Sequence, residues 1–201
     1  MGNRNPALTI RDNLSSEELR RQVRRENDGQ VRHLDVTTSW DDYMDKAFRD
    51  RAPRLVVNND SKEMLLIEEK ILGSQQGMGG IGGVGARQGK VQASTMTYSE
   101  ERPGGFDPHK RIPDIDLDGI DAVFLYPSMG LFAGSVQDPP LDAAMCRAYN
   151  RWLVDYCRPY PDRLFGVAIL PMQSIDLAIK EMGFARKELG FRGGFLRTTT
   201  R

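Results

Sequence analysis

Three short apolar segments and two amphipathic segments alternate in the C-terminal half of the chain. The apolar runs are residues 120–126, 164–170 and 191–196. Unbroken apolar runs are typical of strands buried on both faces, and parallel strands need a crossover between them, usually a helix. The pattern therefore predicts strand, helix, strand, helix, strand in a parallel α/β sheet. Because the chain ends at Arg201, soon after the third run, we expect that strand to have no covering helix and an open edge.

The segment between the first two apolar runs has helix signals at both ends. Asp138 suits an N-cap, Pro139 suits the first helical position, and Pro159 and Pro161 end the helix. Between these limits, apolar residues recur at helical spacing: Leu141, Ala144, Met145, Ala148, Tyr149, Trp152, Leu153 and Tyr156. The spacing predicts the first crossover helix.

The second amphipathic segment begins after Ser174, and Gly190 suits the C′ position that follows a helix. One side of this segment carries Ile175, Ala178, Ile179, Met182, Ala185 and Leu189. The spacing predicts the second crossover helix, with these residues as its apolar side.

Earlier in the chain the patterns are shorter. A helix is expected to begin near Ser39 and to end at Pro53. The apolar residues at 55–58 and 64–67 flank a polar turn, which predicts a β-hairpin.

Two segments of unusual composition favour exposed structure. Residues 1–27 form a charged N-terminal extension, in which 15–25 predicts a solvated helix or disorder; the interleaved glutamates disfavour a nucleic-acid-binding arm. Residues 73–90 are rich in glycine and contain two overlapping G-x-G-x-x-G patterns. A dinucleotide site needs these glycines between a strand and a helix. No helix is predicted after them, so a mobile loop is favoured.

The overall composition is ordinary for a globular protein. The chain has 201 residues, 39% of them hydrophobic, and its 28 basic and 28 acidic residues give a formal charge of zero. This balance does not indicate nucleic acid or an anionic membrane as a partner. No signal peptide or membrane-spanning run is present, so we expect a soluble cytosolic protein. Cys146 and Cys157 lie off the predicted stripe, about 16 Å apart along the helix, and are expected to be unpaired, reduced thiols.

Several different short motifs follow one another between residues 28 and 197. They include Trp40-Asp41-Asp42-Tyr43, Arg102-Pro103-Gly104-Gly105-Phe106, Asp116-Leu117-Asp118-Gly119-Ile120-Asp121, Pro161-Asp162-Arg163-Leu164, Leu170-Pro171-Met172-Gln173 and Leu189-Gly190-Phe191-Arg192-Gly193. In their order and spacing they resemble amidohydrolase-related proteins of the aminocarboxymuconate-semialdehyde decarboxylase type, also labelled amidohydrolase 2, within the metal-dependent hydrolase superfamily. The resemblance implies a (β/α)8 TIM-barrel-like fold. Residues 28–201 would supply its N-terminal portion: about three parallel strands with crossover helices, plus an N-terminal helical and hairpin insertion.

The resemblance also implies a divalent metal, usually zinc, held by a His-x-His-like motif, later histidines and a late aspartate. This sequence departs from that pattern, because Gln30 occupies the expected ligand position and a neutral amide oxygen is a poor zinc ligand. His33 and Asp35 are the remaining candidate ligands, although an isolated surface histidine is the favoured interpretation. A working metal centre within one copy of the chain is therefore not expected.

Active sites of such barrels lie at the carboxyl ends of the strands. The corresponding loops here begin at Pro127, Pro171 and Thr198. Ser128 offers a hydroxyl and Arg197 a planar guanidinium that suits a carboxylate, so both are candidate substrate-binding residues; the alternative for Ser128 is a turn residue.

Other sequence patterns indicate no catalytic centre. Asp114, Asp116 and Asp118 have the spacing of a calcium loop but favour a helix-to-strand connection. His109 follows an expected helix start and is predicted to face solvent. No G-x-S-x-G motif is present.

Three functional hypotheses follow. The first, implied by the resemblance, is a metal-dependent hydrolase or carboxy-lyase acting on a small carboxylate-bearing substrate, with the isolated chain expected to be inactive. The second is a non-catalytic remnant or interaction module that pairs through an open sheet edge with a partner or with a second copy, as a homo-oligomer. The third is a nucleotide-binding protein that uses the glycine-rich loop.

Overall fold

The computed structural model describes residues 8–9, 40, 42–57, 63–68, 70–72, 103–127 and 136–196. These residues fall into two compact units. One contains the described residues of 8–9 and 53–72, and the other contains those of 40–52 and 103–196. The predicted helix at 15–25 and the glycine-rich segment at 73–90 lie outside the described residues, and the boundary at residue 27 stays a prediction.

The first unit contains a four-stranded sheet. In sheet order its strands are β1 (Leu8–Thr9), β2 (Arg54–Val57), β3 (Glu63–Ile67) and β4 (Lys70–Leu72). The predicted hairpin is confirmed, because β2 and β3 are antiparallel with Arg54 opposite Leu66. Two strands were not predicted from the sequence: β1, which is parallel to β2, and β4, which is antiparallel to β3. Glu68 lies in the turn between β3 and β4 and has a φ of 55°.

The second unit contains parallel strands joined by helices. Its elements are a 3-10 helix (Lys46–Arg51), a second 3-10 helix (Pro103–Gly105), α1 (Pro108–Leu117), β5 (Val123–Leu125), α2 (Pro139–Cys157), β6 (Leu164–Gly166), β7 (Ala168–Ile169), α3 (Ile175–Lys187) and β8 (Gly194–Phe195). Strand β5 is parallel to β6, and β7 is parallel to β8. The predicted order of strands and crossover helices is confirmed, and the fold of this unit is mixed α/β.

The strands differ from the prediction in two respects. The run at 164–170 is divided at Val167 into β6 and β7, which pair with different neighbours. The expectation of burial on both faces is wrong for β5: Val123 and Leu125 pack against the core, whereas Phe124 between them is 66% exposed. Successive side chains of a strand point to opposite faces, so the face of β5 opposite the core is exposed.

The predicted starts of both crossover helices are confirmed, and α2 ends at Cys157, before Pro159. Helix α3 ends at Lys187 with Glu188 as its C-cap, so Gly190 lies one residue beyond the C′ position predicted for it. Asp138 is the N-cap of α2 and Pro139 is its first residue; the Asp138 carboxylate accepts a hydrogen bond from Arg51 at 2.7 Å. The Ser174 hydroxyl accepts from the Leu177 N–H at the start of α3. Gly190 has a φ of 75°, a conformation that a residue with a Cβ rarely adopts.

The predicted apolar side of α3 is wrong in part. Ile175, Ile179 and Met182 are exposed. The residues that α3 buries are Ala178, Glu181 and Ala185. This face meets α2 because Glu181 bonds to two α2 side chains, Arg147 and Asn150.

The core of the second unit lies between the helices and the parallel strands. It comprises Ile115, Leu153, Tyr156, Cys157, Leu164, Ala168, Ala185 and Phe191. Gly166 permits this packing, since a Cβ there would lie 2.5 Å from Phe191 and 2.9 Å from Leu153. None of the helices in the described ranges is long and apolar enough to span a bilayer.

Candidate functional site

The carboxyl ends of the parallel strands form one edge of the second unit. We call this the carboxyl edge and define it by the residues that follow β5, β7 and β8: Tyr126, Pro127, Leu170, Pro171 and Leu196. Pro127 and Pro171 each lie two residues after a strand end, at the predicted starts of loops, and both are buried. The predicted third loop begins at Thr198, outside the described residues.

Aromatic side chains cluster at this edge and on the exposed face beside it. The rings of Tyr126 and Phe195 meet edge to face, with centroids 6.3 Å apart. Farther from the edge, Phe124 of β5 stacks on Phe165 of β6 at 5.3 Å. Phe124, Tyr126 and Leu196 are each more than half exposed. This surface can contact an apolar or aromatic group.

A buried amide holds the end of β7. Asn150 of α2 is fully buried; its Oδ1 accepts from the Ile169 N–H at 2.9 Å, and its Nδ2 donates to the Ile169 carbonyl at 3.0 Å. Ile169 is the last residue of β7. The contact therefore joins the middle of α2 to the backbone immediately before the carboxyl edge.

A buried carboxylate lies on the other side of this amide. Glu181 of α3 accepts from Asn150 Nδ2 at 2.8 Å and from Arg147 Nε at 2.6 Å. The Arg147 guanidinium also lies 3.5 Å from the centroid of the Phe184 ring, a cation–π geometry. The carboxylate is thus paired with a charge and hydrogen-bonded, as a buried charge requires.

Arg147, Asn150 and Glu181 were not among the functional residues predicted from the sequence. A signal was present in α2, where Cys146, Asn150, Leu153 and Cys157 recur at spacings of four, three and four, as residues on one helical face do. Free cysteine is usually buried, so two cysteines on this face indicate that Asn150 is buried as well.

The two cysteines lie in α2, off its predicted apolar stripe. Cys146 and Cys157 are both buried, and both are unpaired as expected. Burial raises the pKa of Cys157 to about 11. Burial also raises the pKa of Cys146 well above its ordinary value, with a smaller contribution from Asp142 and Glu181. Both thiols are held in the protonated, weakly nucleophilic form.

The other candidate positions for chemistry are His109 and the run of aspartates at 114–118. His109 is exposed, as predicted, with its Nδ1 2.9 Å from the Tyr160 hydroxyl. Asp114 and Asp116 lie in α1, and Asp118 is the C-cap residue of this helix. The predicted connection from a helix to strand β5 is therefore confirmed at Asp118, whereas Asp114 and Asp116 belong to the helix itself.

The residues predicted to bind metal or substrate lie outside the described part of the chain. These are His33, Asp35, Ser128 and Arg197; Gln30, at the position where the family resemblance implies a ligand, also lies outside it. Within the ranges that the structure does describe, no group of three or more His, Cys, Asp or Glu residues is placed to hold a metal ion. The described residues therefore do not form a metal site.

Comparisons with known proteins place the second unit in context. Residues 93–200 match a family model described as amidohydrolase. Solved structures with partial likeness include 2,6-dihydroxybenzoate decarboxylase from Rhizobium, with 26% identity over 45% of this chain and 28% of that chain, at a TM-score of 0.42. A 2,6-dihydroxybenzoate decarboxylase complexed with 2,6-dihydroxybenzoate has the same identity and coverage, at a TM-score of 0.43. The chain thus spans less than a third of these enzymes, and their activity remains a property of those proteins.

Proposed function

Because this chain belongs to the amidohydrolase family, we propose that it forms the N-terminal portion of a (β/α)8 barrel that acts as a metal-dependent hydrolase or carboxy-lyase on a small carboxylate-bearing substrate. The observation that supports this proposal is the order β5, α2, β6 and β7, α3, β8, with parallel pairing throughout, inside the segment that matches the family. Crossovers from one parallel strand through a helix to the next are the repeating unit of the barrel.

The substrate would bind at the carboxyl edge. Tyr126, Phe195 and Leu196 offer apolar contacts that suit an aromatic or unsaturated ring. Arg197 directly follows Leu196 and would bind the substrate carboxylate through its guanidinium group. Ser128 directly follows Pro127 and would donate a hydrogen bond from its hydroxyl.

The number of candidate metal ligands limits the activity that we propose for this chain. His33 and Asp35 would be the available ligands near the N-terminus, and Gln30 stands where the family resemblance implies a histidine. Two ligands are fewer than the three protein groups that a catalytic zinc site uses. We therefore propose that the isolated chain of 201 residues binds a carboxylate but does not turn it over.

Carboxylate binding by the purified chain tests the proposal. Aromatic and unsaturated carboxylates, including 2,6-dihydroxybenzoate, are titrated while amide shifts are followed by NMR, and metal content is measured by mass spectrometry. We expect at least one carboxylate to bind, and Arg197→Ala to weaken binding about tenfold through loss of a charge-assisted pair. Arg192→Ala, at an exposed position, is the matched control. No binding, or equal binding by both variants, would contradict the proposal.

A second candidate function is a non-catalytic interaction module. The exposure of Phe124, Tyr126 and Leu196 on adjoining parts of one surface favours it, because such a patch is typical of protein contact sites. Sedimentation velocity over a range of protein concentrations distinguishes this function: a chain that stays monomeric and binds carboxylates supports the enzyme relationship, and a concentration-dependent dimer that binds none supports the module.

A further inference from the structure

The backbone N–H groups of Val167, Ala168 and Ile169 donate to three different partners. The Val167 N–H donates to the Leu125 carbonyl of β5 at 3.0 Å, and the Ala168 N–H donates to the Gly193 carbonyl at 3.0 Å. Backbone groups of successive strand residues point to opposite sides. The Ile169 N–H and carbonyl therefore point to the β5 side, as those of Val167 do.

Strand β5 ends at Leu125, which pairs with Gly166, so its paired residues stop short of Ile169. Pro127, two residues after Leu125, has no N–H to donate to the Val167 carbonyl, so the ladder does not extend to Ile169. Without another partner, the N–H and carbonyl of Ile169 would both be left unpaired in a residue that is itself buried.

The Asn150 side chain supplies both partners. Its amide oxygen accepts from the Ile169 N–H at 2.9 Å, and its amide nitrogen donates to the Ile169 carbonyl at 3.0 Å. One side-chain amide thus replaces the backbone of the missing β5 residue, and it does so from helix α2.

Glu181 and Arg147 fix the orientation of this amide. Asn150 Nδ2 has two protons: one is donated to the Ile169 carbonyl, and the other to Glu181 Oε1 at 2.8 Å. A rotated amide would place Oδ1 against the Ile169 carbonyl and the Glu181 carboxylate, so three acceptors would face one another. Arg147 Nε donates to Glu181 Oε2 at 2.6 Å and holds the carboxylate in place.

We propose that Asn150 is a positioning residue of the carboxyl edge. Its amide takes the place of a strand partner for Ile169 at the end of β7 and so sets where the chain segment beginning at Leu170 leaves the sheet. Glu181 and Arg147 orient that amide. The importance of this edge for substrate rests on the proposed function, whereas the replacement of a strand by the Asn150 side chain does not.

Amide hydrogen exchange of the whole chain, followed by NMR, tests the proposal at single residues. In Asn150→Ala we expect exchange of the Ile169 amide to accelerate about tenfold or more, since its acceptor is lost. Exchange of the neighbouring Ala168 amide, which is bonded to Gly193, should change far less. Cys146→Ala is the matched control, since it removes a buried side chain one turn earlier in α2 and should affect the two amides alike.

Glu181→Gln is a milder variant for the case in which Asn150→Ala does not fold. The Glu181 carboxylate accepts from Arg147 with one oxygen and from Asn150 with the other. Glutamine has an oxygen at only one of these two positions, so one of the two hydrogen bonds is lost. We expect a smaller but still selective acceleration at Ile169. Equal acceleration of Ile169 and Ala168, or none at Ile169, would overturn the proposal. Selective acceleration supports it whether or not carboxylates bind, and absence of carboxylate binding counts against the proposed function alone.

Discussion

The two crossover helices α2 and α3 have similar amphipathic patterns in the sequence but are buried differently. Helix α2 buries residues around much of its circumference, including Leu141, Met145 and Leu153. Helix α3 buries two alanines and a glutamate, and it leaves Ile179 more than half exposed. The apolar pattern therefore identifies both helices, but it identifies the buried face of α2 only.

The difference has a physical cause in the contacts between the helices. Ala178 and Ala185 are small, which allows the α3 backbone to approach its neighbours closely. Glu181 lies between them on the same face and is tied to Arg147 and Asn150 of α2. Rotating α3 to bury Ile179 would bring Glu181 toward solvent and leave the Asn150 amide without this acceptor. A buried polar group thus determines the helix rotation against the hydrophobic preference.

Removing a core side chain from α2 should produce the largest loss of stability. Leu153 is 1% exposed and belongs to the core cluster. We expect Leu153→Ala to lower the free energy of unfolding by about 2–5 kcal/mol, through lost burial and a residual cavity. Urea denaturation followed by circular dichroism measures this loss. A loss below about 1 kcal/mol would show that the cavity collapses or that α2 is less enclosed than the structure shows.

Removing the carboxylate that connects the helices should have the next largest effect. Glu181→Ala leaves Arg147 without its ion-pair partner and one of the two Asn150 amide protons without its acceptor, so we expect a loss of about 1–3 kcal/mol. Glu181→Gln, which keeps the shape, should lose less. Glu188→Ala at an exposed position is the control and should change stability by at most about 0.5 kcal/mol. Similar results for Glu181→Ala and Glu188→Ala would contradict this account of the helix rotation.

The sequence predicted more of the fold than of the candidate site. Parallel strands and crossover helices follow from apolar periodicity and end signals such as Pro139 and Gly190, which depend on local backbone conformation. The role of Asn150 depends on hydrogen bonds to Ile169, 19 residues later in the chain, and to Glu181, 31 residues later. Periodicity within one helix cannot specify such pairings. The candidate ligands His33, Asp35, Ser128 and Arg197 came from the family resemblance and strand order, and they stay predictions.

High pH should weaken the fold through Cys157 at the end of α2. Burial raises the pKa of this thiol from 9.0 to about 11, so the folded chain retains a proton that the unfolded chain loses. The contribution of Cys157 to stability is therefore complete below pH 9 and is lost as the pH rises toward 11. Urea denaturation at several pH values measures how the free energy of unfolding changes with pH. Cys157→Ala should show a shallower decline than the unmodified chain, and an equal decline in both would contradict this assignment.

The smallest effect is expected on the exposed side of α3. Ile179 is 57% exposed, so Ile179→Ala removes little buried surface, and alanine favours the helix. We expect stability to change by at most about 0.5 kcal/mol in urea denaturation. A loss above about 1 kcal/mol would mean that something covers Ile179 in solution. Repeating the measurement at several protein concentrations then identifies the cover, because contact with a second copy makes the loss depend on concentration, whereas contact within one chain does not.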